Sequence, residues 1–146
     1  MMKPRPSVEL VESASHPACQ VILDGLRAFN AAHLGRSATP VPLTVFVRDD
    51  AGVVQGGLMG HYLWEWLYVD KFWLSDEARG MGLGRDVMAQ AEAWAVALGA
   101  RWSHLNTLDF QALAFYERHG YAVFGVLEDY PPGGKRYYLR KTLPHP

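Results

Sequence analysis

Apolar and polar positions change period along this chain, and the changes mark its elements. Val21, Ile22, Gly25, Leu26 and Phe29 share one face at helical spacing. Ser15-His16-Pro17 supplies the helix entry, with proline in the first turn where its missing N–H costs nothing, and Gly35 lies at the end. Residues 40–48 and 53–62 have strand composition on either side of the turn Asp49-Asp50-Ala51-Gly52, and aromatic, β-branched Trp66–Leu74 makes a third consecutive strand. Leu83, Val87, Ala91, Ala95 and Leu98 return to helical spacing, which predicts a helix over 85–98 closed by Gly99. A short strand at 102–105, a short helix at 111–119 and a hairpin of 121–127 with 137–143 around Pro131-Pro132-Gly133-Gly134 complete the pattern. Val8 to Glu12 alternates weakly, as a first strand would, and proline-rich residues 1–6 form a loose tail ahead of a single domain over 7–146. Strands first, then alternating helices and strands, predict a mixed α/β sheet.

Composition narrows the class. A chain of 146 residues, 49% hydrophobic and 20% charged, suits one globular domain with its own core. A formal net charge of −1 with scattered basic residues leaves no footprint for nucleic acid. The single Cys19 excludes an internal disulfide and is compatible with a reducing cytoplasm. No apolar run approaches the ~20 residues of a membrane span. The expectation is a cytoplasmic protein, monomer or homodimer, without a membrane or nucleic-acid partner. The six histidines show no metal spacing, so no metal is expected.

Candidate chemistry concentrates at Arg79-Gly80-Met81-Gly82-Leu83-Gly84, between the third strand and the second helix. A strand that turns through glycines into a helix start aims several backbone N–H groups at one point. The helix dipole adds to them, and the combination favours an anion, above all a phosphate. The stretch is not a dinucleotide fingerprint, because the glycines alternate and position 85 is Arg, nor a P-loop, because Gly-Lys-Ser/Thr is absent.

What the stretch matches is RxxGxG, read as Arg79-x-x-Gly82-x-Gly84, and in this the chain resembles the GNAT family of N-acetyltransferases. Asp109 to Tyr121, with its Phe115-Tyr116 pair and Gly120-Tyr121, resembles the family's second signature. Tyr130 to Leu139 is similar to the closing hairpin of a bacterial subgroup. The resemblance covers roughly Val8 to Leu143. It implies a GNAT-like, mostly antiparallel mixed sheet of six to seven strands flanked by helices.

The resemblance also implies a division of labour, with acetyl-CoA as co-substrate and acetyl transfer to a primary amine by direct attack in a ternary complex. Arg79 and the amides of Gly80, Met81, Gly82, Leu83 and Gly84 would take the pyrophosphate, with Arg85 nearby as a second cation or a solvated charge. The main chain of Phe72, Trp73 and Leu74 would pair with the pantetheine arm. Tyr116 takes the place of the family's acid for the leaving thiolate, and an ordinary phenol near ~10 is suited to it. Many members carry an Asn where this chain has Asp109, and Asn106 and Gln111 flank it as substitutes.

Asp70 lies four residues before Leu74, hence on the same face of an unbroken strand, and Tyr68 shares that face. It suits either a base acting through water or an electrostatic site for the ammonium. The acceptor pocket is expected from the first helix, the meander and the last hairpin. Aromatic walls of Tyr62, Trp64, Trp66, Tyr68 and Tyr130, with Glu65, Glu128 and Asp129 as acids, suit a small amine. Two rivals keep the same phosphate site: a non-catalytic acyl-CoA sensor, which would need neither Tyr116 nor Asp70, and an enzyme acting on protein lysines or N-termini.

Overall fold

The structure is a computed structural model that describes residues 1–144. It contains two compact units, Met1–Ala38 and the chain from Thr39 onward. In the first, α1 (Cys19–Leu34) ends on Gly35 in the left-handed conformation, whose N–H donates to the Ala31 carbonyl (2.8 Å). Residues 8–12, whose weak alternation suggested a strand, form no regular element. Five residues with no ladder partner cannot hold an extended conformation on alternation alone.

The second unit is a six-stranded mixed sheet: β1 (Val41–Arg48), β2 (Val54–Leu63), β3 (Trp66–Leu74), β4 (Trp102–Leu108), β5 (Ala122–Glu128) and β6 (Lys135–Thr142). Its strand order is β1-β2-β3-β4-β6-β5. All neighbours run antiparallel except β3 and β4, which are joined by the crossover through α2 (Leu83–Ala97). A short α3 (Leu113–Arg118) links β4 to β5. Helix α2 begins two residues earlier than its apolar spacing suggests, because Gly82 in the left-handed conformation serves as its N-cap.

The core lies on the face of the sheet that carries α2. Val87, Met88, Ala91 and Ala95 of that helix pack with Leu58, Leu67, Val69, Leu105 and Leu139, all buried. One buried polar cluster accompanies them. The Lys141 ammonium donates to both Glu92 carboxylate oxygens (3.0 and 2.9 Å), and Tyr121 Oη lies 3.0 Å from Glu92 Oε1 and 2.8 Å from Ser103 Oγ. A phenol has one proton and a carboxylate only accepts, so Tyr121 donates to Glu92 and accepts from Ser103.

Candidate active site

The site begins at a bulge. Met59 pairs with Lys71 and Gly60 with Val69, so Asp70 is an extra residue on β3. The bulge inverts the alternation: Phe72 and Leu74 continue the core face of Leu67 and Val69, while Lys71 and Trp73 join Tyr68 on the opposite face. The sequence expectation that Asp70, Leu74 and Tyr68 share one face is therefore wrong, since it assumed an unbroken strand. Pairing between β3 and β4 runs only from Trp66–Trp102 to Val69–Leu105. Beyond the bulge the two strands part, which leaves the β4-facing edge of β3 from Asp70 to Leu74 without a ladder partner. A cleft of about 1490 Å³ fills the gap.

On the core side the cleft is lined by Phe72, the glycine turn, Phe115 and Tyr116. The chain reaches this turn from β3 through a single 3₁₀ turn (Asp76–Ala78), in which the Ala78 N–H donates to Ser75 Oγ (3.3 Å). Gly80 (φ 81°) and Gly82 (φ 75°) hold left-handed backbone; a Cβ would stand in open space at Gly80 and in ordinary contact with the Arg85 guanidinium (3.4 Å) at Gly82. Glycine is needed there for conformation. Gly84 is different: an added Cβ would come within 3.1 Å of the Phe115 ring. None of the six backbone N–H groups from Gly80 to Arg85 donates to any acceptor among the described residues, and α2 has no side-chain cap. The first helical bond in this region is Asp86 N–H to the Gly82 carbonyl (3.2 Å). Unpaired amides at a helix N-terminus are chemically suited to an anion such as a phosphate.

Arg79 heads this turn, with its Nε donating to the Leu74 carbonyl (3.0 Å) and Nη1 3.3 Å from Asp76 Oδ1. Its side chain is 60% exposed, and that of Arg85, 3.6 Å from Asp86, is 72% exposed. Met81 and Trp73 are also exposed. Asp70 is half-exposed and ion-paired with Lys71 (3.4 Å).

Tyr116 is 6% exposed and meets Phe72 edge-on, with ring centroids 6.5 Å apart. Burial pushes its phenol up to about 12. Its hydroxyl has no hydrogen-bond partner among the described residues.

Of the three candidates around the second signature, Asp109 turns away from the cleft and accepts from the Lys135 N–H (3.0 Å). Gln111 lines the cleft, but its Oε1 accepts from the Leu108 N–H (2.8 Å) and from Thr107 Oγ1 (3.2 Å). Asn106 faces the side opposite Tyr116. Its Nδ2 donates to Tyr68 Oη (3.4 Å), and its Oδ1 accepts from Arg136 Nε (2.9 Å) and Nη2. The Arg136 guanidinium also covers the Tyr130 ring, 4.6 Å from its centroid.

The expected aromatic wall divides among three places. Tyr62 packs on the core, Tyr130 lines the cleft, and Trp64, Trp66 and Tyr68 line a separate pocket of about 450 Å³ with His61 and His104. Burial lowers the pKa of both histidines, with Asp70 opposing the shift at His61. The expected acids do not line the cleft. Glu128 lies 3.9 Å from Lys135, Asp129 accepts from the Gly133 N–H (3.2 Å), and Glu65 sits in the β2–β3 turn. Arg136 was missed because only the β4–β6 register brings it beside Asn106. The period of 2 along β6, with Tyr137 and Leu139 facing inward, is the one signal that set it off the core.

Residues 12–121 match the acetyltransferase (GNAT) family profile. The chain belongs to that family. It is 43% identical over 113 residues to the blasticidin-S acetyltransferase of Streptomyces morookaense, covering 72% of this chain and 83% of that one. An acetyltransferase of Agrobacterium fabrum is 33% identical over 134 residues, 92% of this chain and 97% of its own. The crystal structure of an acetyltransferase from Bacillus cereus superposes with a TM-score of 0.79 at 26% identity, covering 92% of this chain and 98% of that one. The GNAT sheet and helices expected from the glycine turn are thus present, and the protein is an N-acetyltransferase. No helix among the described residues is long and apolar enough to cross a membrane.

Proposed function

We propose that this GNAT protein transfers the acetyl group of acetyl-CoA to a primary amine of a small molecule, by direct attack in a ternary complex. The observation that carries the reading is the run of six unpaired amides, Gly80 to Arg85, at one end of a cleft with Tyr116 on its wall. The blasticidin-S acetyltransferase relative supports a small-molecule acceptor over a protein one.

The co-substrate supplies an activated acetyl thioester: a C–N bond forms as the C–S bond breaks, the amine gives up one proton and the leaving sulfur takes one. The fit to its pyrophosphate rests on the amides from Gly80 to Arg85, with Arg79 and Arg85 as exposed cations beside them. The unpaired edge of β3 at Phe72, Trp73 and Leu74 offers backbone groups to an extended amide-bearing arm. Tyr116 faces the leaving sulfur in this reading. With its phenol at about 12, full proton transfer to a thiolate whose thiol lies near ~8.5 is uphill by roughly 5 kcal/mol. Its contribution is therefore a hydrogen bond that strengthens as charge builds on sulfur. Asp70, on the bulge, accepts the amine's proton through water or holds the ammonium.

Thiol release from acetyl-CoA, followed across a panel of amines, amino acids, antibiotics and peptides, tests the proposal. Turnover restricted to peptides would overturn the small-molecule acceptor. Binding of acetyl-CoA without turnover on any amine would leave a sensor. Asp70→Asn should reduce turnover while acetyl-CoA affinity is kept.

A further inference from the structure

The two sides of the cleft carry different chemistry. Free amides and Tyr116 occupy the α2 side, whereas Asn106, Arg136 and Tyr130 stand on the other. Under the acetyl-transfer reading, on which this inference rests, the amine enters from that second side.

Arg136 is an unexpected residue to find in a site for amines. It is half-buried, and no carboxylate is paired with it among the described residues. The acids nearest in sequence are occupied: Asp109 and Asp129 accept backbone N–H groups, and Glu128 faces Lys135. Its partners are neutral. The Asn106 Oδ1 takes two of its N–H groups and the Tyr130 ring supports its plane. A guanidinium has five N–H donors in a rigid fork, so three remain after the bonds to Asn106. Full positive charge is thus held in a fixed orientation on the cleft wall, where it repels a simple ammonium.

An acceptor that brings its own carboxylate reverses the sign of this interaction. We propose that Arg136, oriented by Asn106, binds a carboxylate on the acceptor, so that the substrate class is small amines that also carry an acid group, as amino acids and their derivatives do. A charge-assisted contact of this kind corresponds to about 10–100-fold in kcat/KM.

The test uses matched amines that differ only in the acid, such as an amino acid and its primary amide, assayed by thiol release with acetyl-CoA. The parent should prefer the acid by about 10-fold or more, mainly through KM. In Arg136→Gln that preference should collapse, with acetyl-CoA affinity by calorimetry and the melting temperature unchanged. Arg136→Lys should recover part of the preference, because it restores the charge without the fork. A deaminated acid should compete with the amine in the parent and not in Arg136→Gln. Equal or better turnover of the amide by the parent, or a preference that survives in Arg136→Gln, would overturn the proposal and leave acetyl transfer standing. Acetyl-CoA binding with no amine acetylated would remove both.

Discussion

Gly84 and Phe115 are in contact across the cleft wall: a Cβ built on Gly84 would lie 3.1 Å from Phe115 Cε2. This contact joins the start of α2, which offers the amides, to α3, which carries Tyr116. The proposed phosphate cradle and the proposed hydrogen-bond donor are therefore one packed unit, and glycine at 84 sets its spacing.

The glycines of the turn should consequently respond differently to substitution. Gly82 needs a left-handed backbone, and a Cβ there would touch only the flexible end of Arg85 at 3.4 Å, so Gly82→Asn should cost well under about 1 kcal/mol, and Gly82→Val about 2 kcal/mol or more. For Gly84→Ala, the gain in helix propensity of about 1 kcal/mol is offset by the push on Phe115, so stability changes little. Gly84→Val should lose about 1–3 kcal/mol and weaken acetyl-CoA binding. Urea denaturation and calorimetry on the four variants check this order. Equal losses for Gly82→Asn and Gly82→Val would show that conformation is not what position 82 requires.

Tyr116→Phe keeps the ring against Phe72 and removes the hydroxyl. Turnover should fall by about 10²–10⁴ with acetyl-CoA affinity nearly unchanged, since the bond matters mainly in the transition state. Because the phenol stands at about 12, the parent's pH–rate profile should show no decline from Tyr116 below pH ~11. A descending limb near pH 10 that disappears in Tyr116→Phe would contradict the burial described here.

Stability should decline in alkali. The unfolded phenol titrates near 10 and the folded Tyr116 near 12. Between those values the unfolded state binds fewer protons, so unfolding free energy decreases as pH rises, by roughly 2–3 kcal/mol across the interval. The contribution is intact below pH ~10 and lost as pH passes through ~12. Tyr121, also raised by burial and then by Glu92, adds in the same direction. Urea midpoints at pH 8, 10 and 11 should follow this slope, and Tyr116→Phe should make it shallower.

Tyr121→Phe isolates the buried polar cluster. It leaves the fully buried Ser103 hydroxyl without its phenolic partner and removes one donor from Glu92, while the Lys141 ion pair remains. A loss of about 1–3 kcal/mol in thermal or chemical denaturation is expected, with acetyl-CoA affinity unchanged. A neutral or stabilising substitution would mean that water takes over both bonds.

The sequence by itself determined the elements and the family. Periods of 3.6 and 2 are local properties, so α1, α2 and the β1–β3 meander were legible, as were Gly35 as a cap and the alternating glycines before Leu83. Residues 8–12 misled because alternation marks a strand only where a neighbour completes the ladder. Tertiary structure decided the rest. The bulge at Asp70 is a backbone event without a side-chain signature, and it reversed the faces of Phe72 and Leu74 relative to Tyr68. Only packing distinguishes Gly84, which needs space, from Gly82, which needs its dihedral angle. Register between β4 and β6, fixed by contacts distant in sequence, brought Arg136 to Asn106 and turned the acids of the last hairpin away from the cleft. Charge at a site depends on which side chains meet there, and linear spacing does not carry that information across a sheet.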